Sequence, residues 1–440
     1  MKPIRLILII LTSFTLMGMA WLLRQQPPIL DKTLTLEKLG AITISQPLWG
    51  SRGVALIFAD PKKFPPVSLA RRLAGTGFTI AMVDTFQYLQ GFNHASGHCL
   101  DNQAITAAIE NLKKALPTEQ LIVAGIDEGA LLPFINAQTE QTIDISNISI
   151  GFTVKIPQNL TLCPALTSRP QQLSATAIKG KWRSVWADQP APETAIFIRQ
   201  LGNVDTRIAA YDTPADTLLL DELNTIAGQN QPPPIPMPVV ETVTANPGTT
   251  LTIFYSGDGG WRDLDRTVAT EMLNQNYSVI GVDVLRYFWE HKTAEQASDD
   301  LATSMAYYRK KWGIKNFVLA GYSFGADILP AIYNRLPQTD KDSVNLMVLL
   351  ALGEQADFEI HVSGWLGQTG NEQPLAPELL QLPKHKVLCI YGQEEKNETA
   401  CTNLKNAEAD ILELPGGHHF DEDYPKLTRQ ILDVYKQHNM

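Results

Sequence analysis

The pentapeptide Gly321-Tyr322-Ser323-Phe324-Gly325 combines a hydroxyl nucleophile with the two glycines that a sharp backbone reversal needs. It follows the apolar run Phe317-Val318-Leu319-Ala320 and precedes Ala326-Asp327-Ile328-Leu329, where a helical pattern begins. In a strand-turn-helix setting the glycines let the chain turn tightly, so the serine hydroxyl stands above the sheet instead of packing into it. A serine hydroxyl is a weak nucleophile. It needs a base to take its proton, and the base needs a carboxylate to orient it, so the residues after Ser323 should supply both.

Both are present. The run Lys386 to Tyr391 is strand-like and leads into Gly392-Gln393-Glu394-Glu395, which puts two carboxylates beyond its carboxyl end. Spacing from the glycine favours Glu395 over Glu394. A second short strand, Ile411 to Leu414, ends in Pro415-Gly416-Gly417-His418-His419-Phe420. Reading this as Pro-x-x-Gly-His-Phe favours His419 as the base, and reading it as Gly-Gly-His favours His418; both stay candidates, with His419 slightly ahead. Acyl transfer also needs donors for an oxyanion. Tyr255-Ser256-Gly257-Asp258-Gly259-Gly260-Trp261 follows another strand, and the backbone N–H of Asp258 or Gly259, with that of Phe324, is suited to the task. Asp258, Asp263 and Asp265 would place negative charge near the pocket mouth, which suits a cationic acyl group.

The same loop offers His418 and His419 with Asp421, Glu422 and Asp423 as a rival metal site. Adjacent imidazoles point in different directions and no third imidazole or Cys pair lies at ligand spacing, so no metal or cofactor is expected. His94, His98, His291, His361, His385 and His438 lack comparable surroundings and read as ordinary loop or surface residues.

These residues need a scaffold of parallel strands, and the sequence repeats one. Ala227 to Gly248 is rich in Gln, Asn and Pro, including Pro232-Pro233-Pro234, Pro236 and Pro238, and reads as a stiff linker between two halves. Each half alternates short Val/Ile/Leu runs with longer helical patterns, the signature of an α/β fold with a mainly parallel sheet. Ile57-Phe58 corresponds to Ile253-Phe254, and Leu121 to Gly125 corresponds to Phe317 to Gly321, each at an offset of 196. Thr79 to Asp84 likewise corresponds to Ser278 to Asp283, with Asp84 and Tyr88 matching Asp283 and Tyr287 at an offset of 199. The expected organisation is a leader at 1–24, a first copy at 25–226, the linker at 227–248 and a catalytic copy at 249–440. Where the second copy has Ser323, the first has Gly125-Ile126-Asp127-Glu128-Gly129, and Ile208 to Asp216, which should carry the base, has no His. The first copy therefore reads as non-catalytic.

At 440 residues with 44% hydrophobic and 19% charged residues, the chain exceeds a single small module and excludes wholesale disorder. A net charge of −10 argues against nucleic acid as a partner, since phosphate binding needs a basic face. Lys2 and Arg5 precede an uncharged run from Leu6 to Leu23, and Arg24 follows it, which is the layout of a signal peptide or signal anchor. Cys99 and Cys163 in the first half and Cys389 and Cys401 in the second suit one disulfide per half in an oxidising compartment.

The motifs Tyr255 to Trp261, Gly321 to Asp327, Cys389-Ile390-Tyr391-Gly392 and Gly416 to Asp421 together resemble the VirJ/AcvB family of bacterial exported α/β-hydrolases. The two-part layout is similar to the longer, AcvB-like form. The resemblance implies two tandem α/β-hydrolase-like domains in a periplasmic protein, anchored to the inner membrane if the leader is retained. For AcvB-like members it implies hydrolysis of lysyl-phosphatidylglycerol, an aminoacylated phospholipid. VirJ-like members imply instead a scaffold role among type IV secretion components, and a serine esterase or thioesterase of other acyl specificity is the broader alternative.

Overall fold

The computed structural model describes residues 28–438 except 94, 141–143, 170–171, 202–203, 231–232, 361–371 and 405–407. The leader, His94 and His361 lie outside the described residues. Contacts divide the chain into two compact units. One takes in the described residues up to Val185, Phe197–Thr206, and the chain from Pro214 to the Pro-rich stretch; the other takes in Trp186–Ile196, Arg207–Thr213 and the chain beyond. Two short segments that precede the linker in sequence thus group with the second unit.

The first sheet contains β1 (Ile29–Leu36), β2 (Gly40–Pro47), β3 (Val54–Ala59), β4 (Thr79–Asp84), β5 (Gln120–Ile126), β6 (Asp144–Ile150), β7 (Lys181–Trp186) and β8 (Asp205–Ile208). The second contains β9 (Val239–Thr242), β10 (Thr250–Tyr255), β11 (Val279–Val282), β12 (Asn316–Tyr322), β13 (Val344–Leu350), β14 (Val387–Gly392) and β15 (Asp410–Leu414). Their orders are β1-β2-β4-β3-β5-β6-β7-β8 and β9-β11-β10-β12-β13-β14-β15. Apart from the extra edge strand β1, the two orders correspond position by position, and in both an antiparallel strand flanks the parallel set. The chain is built from two tandem α/β-hydrolase-like copies.

The central strands are buried on both faces, which explains why they read as unbroken apolar runs with no alternation. In the second unit Phe254, Val318, Ala320, Val348 and Ile390 form one core with Leu264 and Val268 of α1 (Asp263–Asn274) and Leu427 and Ile431 of α2 (Tyr424–His438). Between these two helices in the chain, Ala294–Trp312 begins with a Thr293/Gln296 capping box and ends at Gly313, whose φ of 70° favours glycine.

The Pro-rich stretch is not all linker. Within it, Val239–Thr242 form β9 and pair antiparallel with β11. No proline falls within Val239–Thr242, so every residue of β9 keeps the backbone N–H that a ladder requires.

Both halves are cross-linked internally, Cys99 to Cys163 and Cys389 to Cys401, and no described cysteine is free. The first bridge joins segments that already pair through Leu100 N–H to Thr161 O and Cys163 N–H to Leu100 O. It closes the longer loop, 64 residues against 12, and chain entropy makes it the more stabilising, at about 4 kcal/mol against about 3. Serine pairs at each bridge are expected to lower the thermal midpoint, with the Cys99/Cys163 pair lowering it further; calorimetry of the two double variants measures this.

Candidate active site

Ser323 sits between β12 and the helix Phe324–Arg335, with φ 52° and ψ −121°, a conformation costly for a residue that carries a side chain. The glycines around it make that turn sterically possible. A Cβ on Gly321 would fall closer than 3.0 Å to the carbonyl oxygen of Gly325, and one on Gly325 equally close to that of Tyr255. Backbone bonds hold the turn: Ser323 N–H donates to Leu350 O at 2.9 Å, and Ser323 O accepts from Ala326 and Asp327 N–H at 2.8 and 3.0 Å.

The hydroxyl meets His418. Ser323 Oγ lies 2.8 Å from His418 Nε2, and His418 Nδ1 lies 2.6 Å from Glu395 Oε1. Each link comes from a different strand end: Ser323 after β12, Glu395 after β14, His418 after β15. The last two loops are pressed together, since a Cβ on Gly392 would collide with Gly417 O, and Glu394 N–H donates to Gly416 O at 3.1 Å. Gly416 itself has φ +85°, again a position for glycine.

This geometry corrects the preference for His419 and places Glu395, not Glu394, on the imidazole. His419, slightly favoured above, does not reach the serine; its Nδ1 lies 3.0 Å from the Tyr322 hydroxyl, and its ring stands 89° from that of His418. The Gly416-Gly417 turn and its contact with Gly392 bring the first of the two imidazoles, not the second, over the elbow. Glu394 is the loop's backbone tie, with an exposed side chain running past Gly417, while Glu395 is partly buried against the imidazole.

The loop expected to supply oxyanion donors passes directly beside Ser323. A Cβ on Gly257 would lie 3.3 Å from the Tyr322 ring and 3.8 Å from Ser323 Cβ, so the backbone there is as close as packing permits. Asp258 and Gly259 continue this loop, and Phe324 opens the helix after the elbow, where the first N–H groups have no intrahelical acceptor. Ser256, fully buried, pins the loop by accepting from Val284 N–H at 3.0 Å and donating to Gly257 O at 3.0 Å.

Sequence reasoning missed two contributors, Tyr322 and Asp327, and expected Asp265 as a charge at the pocket mouth where the structure buries it. Tyr322 bonds to the histidine loop, and its burial pushes the phenol pKa up, so it stays a neutral hydroxyl. Asp265 is buried and its carboxyl is raised well above the usual range by desolvation. Asp327, one helical turn beyond Ser323, accepts from Gly353 N–H at 2.7 Å, yet burial, with the charge of Asp258 adding to it, lifts its pKa to about 7. An Asp in the first turn of a helix is so ordinary that only its burial sets it apart.

The first copy keeps the same elbow. Asp127 has φ 53°, and a Cβ on Gly125 or Gly129 would overlap Gly129 O or Phe58 O. Asp127 is engaged with Lys63 at 2.9 Å. The strand equivalent to β15 is β8, and the residues that follow it, Ala209 to Thr213, contain no imidazole. A cavity of about 600 Å³ bordered by Phe86, Leu89, Glu128 and Leu160 persists on the Glu128 side of this elbow.

No curated protein matches the chain. Solved structures similar to it include Est1E from Butyrivibrio proteoclasticus with ferulic acid bound, at 12% identity over 46% of this chain and 95% of that one, with a TM-score of 0.33. An esterase from Thermogutta terrifontis is 14% identical over 46% and 94% of the two chains, with a TM-score of 0.35. The Francisella virulence factor BioJ is 13% identical over 50% and 91%, with a TM-score of 0.36. Residues 249–439 match the family described as Bacterial virulence protein (VirJ).

Proposed function

We propose that the second unit is a serine hydrolase that cleaves the aminoacyl ester of lysyl-phosphatidylglycerol at the periplasmic face of the inner membrane. The observation that carries this reading is the hydrogen-bonded chain Ser323–His418–Glu395, assembled from three separate strand ends. Ser323 Oγ attacks the ester carbonyl while its proton passes to His418 Nε2, and backbone amides of the Asp258 and Phe324 region hold the oxyanion. As the tetrahedral adduct collapses, the C–O bond to the lipid glycerol breaks and His418 returns the proton to the leaving oxygen. Water, deprotonated by the same imidazole, then attacks the lysyl-serine ester and releases lysine. Glu395 orients the imidazole and stabilises its charged form.

The lysyl group is supported by the acidic side chains beside the nucleophile, Asp258 and Asp327. Purified chain presented with lysyl-phosphatidylglycerol in mixed micelles is expected to release free lysine; intact lipid after prolonged incubation, with hydrolysis of uncharged esters, would assign another acyl specificity.

Asp327 gives this reading a pH signature. Its carboxyl is neutral below about pH 7 and ionised above, so KM for the lysyl ester should fall as pH rises through that value. Asp327→Asn should flatten this dependence and raise KM about tenfold at pH 8, with KM for an uncharged ester unchanged. Comparing variant with wild type isolates the carboxyl from the α-amine of the substrate.

A further inference from the structure

We infer that the open end of the β1–β2 hairpin is a lipid-surface contact, seated in the headgroup region of the bilayer beside the amino-terminal apolar run. Leu30, Leu48 and Trp49 are 50%, 57% and 61% exposed, an unusual concentration of large apolar surface at one corner of the first unit. They are close together by register. β1 and β2 pair Ile29 with Pro47 and Leu30 with Gln46, and Leu48 N–H continues the ladder to Pro28 O at 2.9 Å. Leu30 and Leu48 therefore project from the same face as diagonal neighbours, with Trp49 following at the tip. Exposed Lys32 lies on that face too, two residues along from Leu30.

The occupant follows from where the chain leads. Pro28, hydrogen-bonded to Leu48, is five residues past Leu23, the end of the uncharged run that begins at Leu6. Five extended residues span at most about 18 Å. The hairpin end is thus tethered within that distance of a segment of nearly membrane-spanning length. Tryptophan flanked by leucine, with a lysine alongside, is the composition that partitions to the headgroup boundary of an anionic bilayer. The opposite end of the hairpin, at Thr35, lies roughly 17 Å further along β1 from Leu30 and stays in water. This inference rests on the proposed membrane anchoring and is independent of ester cleavage.

The four native cysteines are all paired, so an added cysteine can be labelled selectively. Full-length Trp49→Cys, Leu48→Cys and Thr35→Cys variants, each carrying an environment-sensitive NBD label, are reconstituted into vesicles of phosphatidylethanolamine and phosphatidylglycerol. The labels at 48 and 49 are expected to brighten about threefold and shift to the blue relative to detergent-free, vesicle-free protein, and to be quenched by spin-labelled lipid, while the label at 35 does neither. Labels at 48 and 49 that remain as wet as the one at 35 would overturn the contact, even with the chain tethered to the vesicle. Brightening without vesicles would also overturn it, by showing that the patch is covered by protein. Two adjacent probe sites keep the test decisive if one substitution perturbs folding.

Discussion

Replacing Ser323 by alanine leaves a folded protein and lowers kcat/KM for the lipid ester by about 10⁴-fold or more, the scale of loss when a serine nucleophile is removed. The fold should survive because alanine carries the same Cβ and so meets the same backbone demand at φ 52°. The glycines and backbone bonds that enforce the turn are untouched. What disappears is one oxygen: the atom proposed to form the acyl bond, which lies 2.8 Å from His418 Nε2. Thermal melts should agree to within about 2 °C, since the change removes a single partly exposed hydrogen bond. Lysine release followed over time is the measurement. Unchanged release from a well-folded variant would defeat the esterase reading and favour a scaffold that retains the fold without its chemistry.

The nucleophile was legible because its constraint is local. A Gly-x-Ser-x-Gly between an apolar run and a helical pattern can be met only by a tight turn, and the near-contacts of Gly321 and Gly325 show why neither tolerates a side chain. The duplication was legible for a related reason, since doubly buried strands leave continuous apolar runs that align at a constant offset. The cysteine pairs followed from one pair per half. Choosing between His418 and His419 was a different problem. The two residues are identical and adjacent, and the deciding contact, Gly392 against Gly417, joins loops that are far apart in sequence. Asp327 was invisible for the same reason, because its burial is created by Gly353 and the strand ends around it. In the Pro-rich stretch, composition outweighed four residues that form an edge strand. Local sequence carried the turn chemistry, and long-range packing carried the choice among chemically equivalent candidates.

The two histidines provide the sharpest discrimination. His418→Ala is expected to lower kcat/KM by about 10⁴-fold, because it removes both the acceptor for the serine proton and the donor to the leaving oxygen. His419→Ala should cost only about tenfold. His419 touches no reacting atom; through Tyr322 Oη, 3.0 Å from its Nδ1, it ties the loop carrying His418 to the residue immediately before the nucleophile. Losing that tie loosens the placement of His418 and should appear mainly in kcat, with KM little changed. Tyr322→Phe removes the same link from the other side. It also removes the hydroxyl's 3.4 Å bond to His418 O, so it should cost at least as much as His419→Ala, and the double variant should be no worse than Tyr322→Phe alone. Steady-state kinetics on the four variants read out the assignment. If His419→Ala proved as damaging as His418→Ala, and Tyr322→Phe did not reproduce it, His419 would be acting on the reacting groups itself, and the assignment of His418 as sole base would fall.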